Sequence, residues 1–277
     1  MEKHSKEELL KTADRSPEAV ARHDKQVWLS LFAKGAIVED PVGTAPHRRN
    51  DSDGDDDQLN RFYETFIAPN EITFHVYQDI VTSDAVVRDV NIEIESSTGL
   101  TINVPTYAIY EIVEENGNLK IARLAAHWEL RSMVKQVISQ RWPGLKMMTV
   151  LGLRMMRMQG VGGIRGYMKG FSGIGQRGKD TVLRFMDALN SRDAKQLTDL
   201  FAADNSGIEY PVGDERVSPN SFINSTDVRM SVSDLISAGM VTGFRFEVKG
   251  KESAENGIGL FKFDAKTKKI NSVQFFR

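Results

Sequence analysis

A short motif that occurs twice constrains this chain more than any other feature. Ile37-Val38-Glu39-Asp40-Pro41-Val42-Gly43 reappears as Ile208-Glu209-Tyr210-Pro211-Val212-Gly213. Each copy follows a Leu-Phe-Ala helix end, at Leu31-Phe32-Ala33 and at Leu200-Phe201-Ala202. A repeat of this kind settles architecture before local detail does. It predicts a duplicated domain, and 277 residues are enough for two units that each bury a core. The divisions read as residues 1–130, a linking segment 131–178, and residues 179–277.

Around each motif the order is helices first, strands after. In the first unit, Ser16-Pro17-Glu18 reads as a helix start, with serine as cap, proline at the first helical position and an acid at the positive end of the dipole. Val20, Val27, Trp28, Leu31 and Phe32 then form a helix-period stripe. A short strand runs over Ile37–Asp40, and Leu59–Ile67 reads as a second helix. Four strand runs follow, Ile72–Val81, Ala85–Ile94, Thr101–Val113 and Leu119–Glu129. Ser83-Asp84, Ser97-Thr98-Gly99 and Asn116-Gly117 supply their hairpin turns. The second unit repeats the plan with helices over Asp180–Leu189 and Ala194–Ala203, and a strand over Gly207–Tyr210. Strands Phe244–Lys249, Ile258–Phe263 and Ile270–Phe276 complete it, with Asn256-Gly257 read as a turn. The expected class is α+β: in each unit a curved antiparallel sheet wraps its helices into a cone with an apolar cavity at the open end.

Composition narrows the chemistry. With no cysteine there is no disulfide framework, thiol nucleophile or cysteine-bound metal, which fits a reducing cytoplasm. The charged opening HSKEELLKTADR shows no secretory signal, and no apolar run is long enough to span a bilayer. The net charge of −2 conceals an asymmetry: Arg131 to Lys179 contains ten Lys or Arg and no acid. Within it, Met147-Met148-Thr149-Val150-Leu151-Gly152-Leu153-Arg154-Met155-Met156-Arg157-Met158 mixes large apolar groups with cations. Residues 131–178 therefore read either as a segment peripheral to an anionic membrane surface or as a helix packed between two acidic units. Nucleic acid is not an expected partner, because the positive charge is confined to this stretch and lacks an aromatic platform. The acidic run Asp51–Asp57 fails as a calcium loop, since Phe62 stands where the bidentate glutamate belongs, and no metal site is expected.

Val38-Glu39-Asp40-Pro41-Val42-Gly43, with Pro46 and a basic residue close behind and Phe62-Tyr63 on the following helix, resembles the bacterial ketosteroid isomerases. Those belong to the wider group of SnoaL-like and nuclear-transport-factor-2-like domains. The resemblance covers residues 5–130 and recurs more weakly over 179–277. It implies two cone-shaped domains and carbon-acid chemistry without a cofactor, in which Asp40 moves a proton between two carbons flanking a dienolate. The implied substrate is a hydrophobic steroid-like or polyketide-like carbonyl compound. The implied activity is that of an isomerase, cyclase or dehydratase, with a non-catalytic carrier of a lipophilic ligand as the alternative. Aligned without gaps from Asp40, the family's oxyanion donors fall at Ser16 and near Ala108, and neither can act as the family's donor. A missing donor removes about 2.7–4 kcal/mol of barrier lowering. In the second unit Tyr210, Phe185 and Gly259 occupy the three positions, so this copy reads as catalytically silent, a built-in partner in an intrachain pseudo-dimer.

Further candidates for the cavity wall follow from position. Tyr63 or Tyr107 could replace the missing donors. His127 and Trp128 close the last strand on opposite faces. His75 and Tyr77 share one face of the first long strand, either lining the cavity or facing outward. His47, in the loop after the motif, reads as solvated.

Overall fold

The computed structural model describes residues 4–50, 57–202, 206–225, 229–249 and 254–277. The chain divides into two compact units, Met1–Ser172 and Gly173–Arg277.

In the first unit, helix α1 spans Lys6–Ala21 and begins at a capping box, with Ser5 and Glu8 each bonding the other's backbone N–H. The helix start therefore lies about three turns upstream of the expected Ser16-Pro17-Glu18, and Pro17 sits inside α1. Helix α2 spans Lys25–Ser30 and is capped by the Asp24 side chain, so the stripe expected to be one helix is broken up: Val20 lies in α1, Val27 and Trp28 in α2, and Phe32 begins a strand. Strand β1, Phe32–Glu39, follows at once; β2 is the short His47–Arg48. Asp57 caps helix α3, Gln58–Phe62, which continues as a π-helical turn over Tyr63–Ile67. The rest of the acidic run, residues 51–56, lies outside the described residues. The four long strands are β3 Asn70–Val81, β4 Ala85–Ser96, β5 Thr101–Glu115 and β6 Asn118–His127. Asn116 and Gly117 both adopt positive φ, 54° and 75°, as a tight two-residue hairpin turn requires.

These strands form one sheet in the order β2-β1-β6-β5-β4-β3, antiparallel except where β1 runs parallel to β6. Bulges between Val76 and Gln78 and between Glu111 and Ile112 bend the long strands. The concave face closes on α1, α2 and α3 through a core that includes Leu9, Trp28, Phe62 and Tyr63.

Of the segment 131–178 expected as a linker, the residues as far as Ser172 fall within the first unit. They form helix α4, Leu130–Ser139, and helix α5, Trp142–Met168, which departs from helical geometry at Gly160. Leu130 and Val137 are buried with Leu100, Ile102, Val104, Ala126 and Trp128, so apolar burial against the sheet fixes α4. The backbone N–H of Ala45, in the loop after the motif, donates to the Gly166 carbonyl at 3.0 Å. A Cβ at Gly166 would stand 2.7 Å from that of Ala45, so this approach of α5 to the loop requires glycine.

The second unit contains α6 Gly175–Ser191, α7 Ala194–Asp199, β7 Gly207–Glu209, α8 Pro219–Ser225, β8 Arg229–Ala238, β9 Val241–Lys249, β10 Ala254–Phe263 and β11 Ile270–Phe276. Its sheet order is β7-β11-β10-β9-β8, with β7 parallel to β11, matching β1-β6-β5-β4-β3 of the first unit. Asn256-Gly257 is not a turn: both residues pair with β9 in mid-strand. A Cβ at Gly257 would meet the Phe276 carbonyl oxygen at 2.2 Å and the Phe246 ring at 2.5 Å, so close packing accounts for this glycine.

Candidate active site

Asp40 follows the last residue of β1. Side chains alternate along the strand, so Glu39 points away from the cavity and pairs with Arg123, while Asp40 points in. β1 lies parallel to β6 with Glu39 opposite Ala125, which brings Asp40 beside the end of β6. There the indole Nε1–H of Trp128 donates to Asp40 Oδ1 at 2.5 Å. Among the described residues this is the hydrogen bond made by the Asp40 carboxylate. Burial pushes its pKa up from 3.8 to about 6, with the Trp128 bond holding it back from a larger rise.

The cavity measures about 150 Å³, and its wall is largely aliphatic and aromatic. Trp28, Ile72, Phe74, Val90, Ile92 and Leu124 supply much of that wall. Ser16 and Ala108, the positions reached by gap-free alignment, both line it, and both are buried. Two tyrosines that the alignment did not reach also line it, Tyr110 on β5 and Tyr167 near the end of α5. Burial raises the Tyr110 pKa to about 12, against the lowering influence of Arg88, whose guanidinium lies 5.9 Å from the ring centroid. The Tyr167 pKa is raised as well, by burial first and then by the negative charge of Asp40. Both phenols are therefore neutral donors at any physiological pH. Tyr167 is held by stacking on Phe66, with centroids 5.7 Å apart. Arg88 is itself buried and fixed by Asp79 at 2.7 and 2.9 Å and by Asp14 at 2.5 Å.

Of the residues singled out in the sequence, Asp40 and Trp128 are brought together. The others stand elsewhere, and strand alternation explains most of them. On β3, Ile72 and Phe74 face the cavity, so His75 and Tyr77 face outward; Tyr77 is 62% exposed and His75 lies 3.9 Å from Glu93. On β5, Ile102, Val104, Ala108 and Tyr110 face the cavity, leaving Tyr107 on the opposite side. Tyr107 is buried there opposite His127, whose Nδ1 lies 3.0 Å from the Tyr107 carbonyl oxygen. Tyr63 packs against Trp28 at 5.6 Å between ring centroids, and its buried hydroxyl has no hydrogen-bond partner among the described residues. His47 is not solvated: it is partly buried on β2, 5.0 Å from the Phe62 ring, and burial lowers its pKa to about 4. No group of three or more metal-ligating side chains occurs among the described residues.

In the second unit the corresponding interior is filled with aromatic rings. Tyr210 packs edge-on against Phe222 at 5.7 Å and Phe275 at 5.4 Å, and the Arg277 guanidinium lies 4.6 Å from its centroid. Phe185 is fully buried against Phe261.

No protein-family model and no curated protein sequence matches the chain. Among solved structures, it is similar to the Δ5-3-ketosteroid isomerase of a Mycobacterium species, with 25% identity, 45% of this chain and 95% of that chain covered, and a TM-score of 0.38. It is also similar to RV0760c of Mycobacterium tuberculosis in complex with estradiol-17β-hemisuccinate, with 26% identity, coverage of 45% and 95%, and a TM-score of 0.38. An LEH-like epoxide hydrolase from M. tuberculosis is similar at 13% identity, with coverage of 53% and 96% and a TM-score of 0.38. The fold class is α+β, with one sheet packed against helices in each unit.

Proposed function

We propose that the first unit is a proton-transfer enzyme, an isomerase, cyclase or dehydratase acting on a hydrophobic carbonyl compound of steroid-like or polyketide-like character. One observation carries this reading: a carboxylate with its pKa raised to about 6 faces an apolar cavity and is held at one oxygen by Trp128. A base with a pKa near the working pH is both ionised and strong enough to accept a proton from carbon.

In this scheme Asp40 takes a proton from the carbon next to the substrate carbonyl. The C–H electron pair becomes the new C=C bond of an enolate, and negative charge collects on the carbonyl oxygen. Trp128 fixes Oδ1 and leaves Oδ2 to work. Tyr110 and Tyr167 offer neutral O–H donors to the oxyanion, in place of the tyrosine and carboxylic acid that the family places at the positions of Ser16 and Ala108. Protonated Asp40 then returns the proton to a second carbon. The aliphatic wall excludes water and selects a hydrophobic substrate. The second unit is assigned no chemistry, since Tyr210 replaces the base and is packed among phenylalanines.

Ala108, an apolar residue at a position where the family places a donor, favours the alternative of a carrier that binds a lipophilic ligand without converting it. Turnover and equilibrium binding of a panel of hydrophobic enones, measured on the wild type and Asp40→Asn, separate the two. The enzyme reading expects turnover lost and binding kept in the variant. Specific binding with no turnover in either protein would replace the enzyme by the carrier.

A further inference from the structure

Helix α5 is apolar on two opposite faces. At about 100° per residue, Met147, Val150, Leu151 and Arg154 fall on one side, and all four line the cavity. On the other side fall Trp142, Leu145, Met148, Leu153 and Met156, all large and all exposed. Trp142 is 79% exposed and Leu153 69%. A helix at the surface of a soluble domain normally turns a polar face to water, and contiguous apolar patches of this kind mark interaction sites.

The charge around the patch identifies what covers it. Arg141, Lys146 and Arg157 are exposed beside it, and no acidic residue occurs from Arg131 to Lys179. Such a face would repel a basic partner and gives a second copy of itself only like charges. An anionic bilayer surface satisfies both parts, taking the apolar side chains into the acyl boundary and the cations at the headgroups. No described helix is long and apolar enough to cross a membrane, so the contact is interfacial. We infer that α5 docks the first unit on an anionic lipid bilayer through Trp142, Leu145, Met148, Leu153 and Met156. The same helix walls the cavity from its other side, so docking sets the cavity within one helix diameter, about 10 Å, of the phase in which lipophilic molecules dissolve. The inference goes beyond the proposed chemistry and does not depend on Asp40.

The test uses the full chain with phosphatidylcholine vesicles, with and without phosphatidylglycerol. Trp28 and Trp128 are buried at 1% and 8% exposure, so a change in tryptophan emission on binding reports Trp142. We expect co-sedimentation with the anionic vesicles and a shift of emission to shorter wavelength, with weaker binding to neutral vesicles and at raised salt. Lys146→Glu with Arg157→Glu, and separately Leu145→Ser with Leu153→Ser, should each lower partitioning by on the order of tenfold or more. These sites are exposed, and unchanged far-ultraviolet circular dichroism excludes misfolding as the cause. Asp40→Asn should sediment like the wild type, which keeps loss of turnover distinct from loss of docking. Absence of sedimentation with anionic vesicles at low salt would overturn the inference, as would sedimentation that neither double variant changes. A concentration-dependent dimer in lipid-free solution, broken by the apolar variant, would overturn it in favour of a second copy of the chain.

Discussion

Replacing Asp40 by asparagine should stabilise the protein, in a pH-dependent way. Folding lifts the Asp40 pKa from 3.8 to about 6 because the carboxylate loses its hydration in the apolar cavity. At about 1.4 kcal/mol per pH unit, ionising Asp40 in place costs on the order of 3 kcal/mol. The sign follows from linkage. The folded state binds the proton more tightly than the unfolded chain does, so the group costs nothing below about pH 4. The cost grows as pH rises towards 6 and is complete above it. Asparagine carries no charge at any pH and keeps an oxygen for the Trp128 N–H, so it mimics the protonated acid. Asp40→Asn should therefore match the wild type in denaturant midpoint near pH 4 and exceed it by about 3 kcal/mol near pH 8. Urea unfolding of both proteins across that range measures the difference directly. A difference that stays constant with pH, or a variant less stable at pH 8, would refute the burial argument and with it the tuned base.

Three further outcomes follow from the same geometry. Trp128→Phe removes the hydrogen bond that lowers the Asp40 pKa, so the acid limb of the pH–rate profile, near 6 in the wild type, should move to higher pH. Tyr110→Phe and Tyr167→Phe each keep the ring and delete a donor; each should reduce kcat by up to about 100-fold while KM changes little, and the loss in Tyr167→Phe would place α5 in the reaction. Arg88→Leu removes the buried guanidinium bound by Asp79 and by the half-exposed Asp14, and should lower stability by about 1.5–3 kcal/mol in thermal or denaturant unfolding.

Much of the sheet is legible in the sequence because period-two alternation and turn chemistry agree there. Each long strand of the first unit begins and ends within a few residues of where its apolar run does. The edge strand β8 is harder to read: its alternation over Arg229–Ser233 is short, and a register shift between Ser233 and Ile236, with Asp234 at a φ of 50°, breaks it. The start of α1 was available from Ser5-Lys6-Glu7-Glu8, a capping-box spacing, but Ser16-Pro17 mimics a helix start. Pro17 is accommodated in the last turns of a helix that other residues already hold.

Asp40 is legible from its motif, and Tyr110 should have been. Once Ala108 is placed on the cavity face, the residue two positions on shares that face and Tyr107 does not. Tyr167 carried no such signal. It comes from a segment with no counterpart in the repeat, on a helix whose apolar residues surround it, so its inward face cannot be chosen by periodicity. Tertiary contacts place it beside the motif loop, among them the bond of Ala45 to Gly166 and the stacking of Tyr167 on Phe66.

The central claim is that Asp40 moves a proton to and from carbon, and incorporation of solvent deuterium into hydrophobic enones, β,γ-unsaturated 3-ketosteroids among them, tests it most directly. The account predicts exchange at the carbon beside the carbonyl with the wild type, rising with pH through about 6, and none above background with Asp40→Asn. Exchange that persists in Asp40→Asn, or its absence from a wild type that binds these compounds tightly, would contradict it.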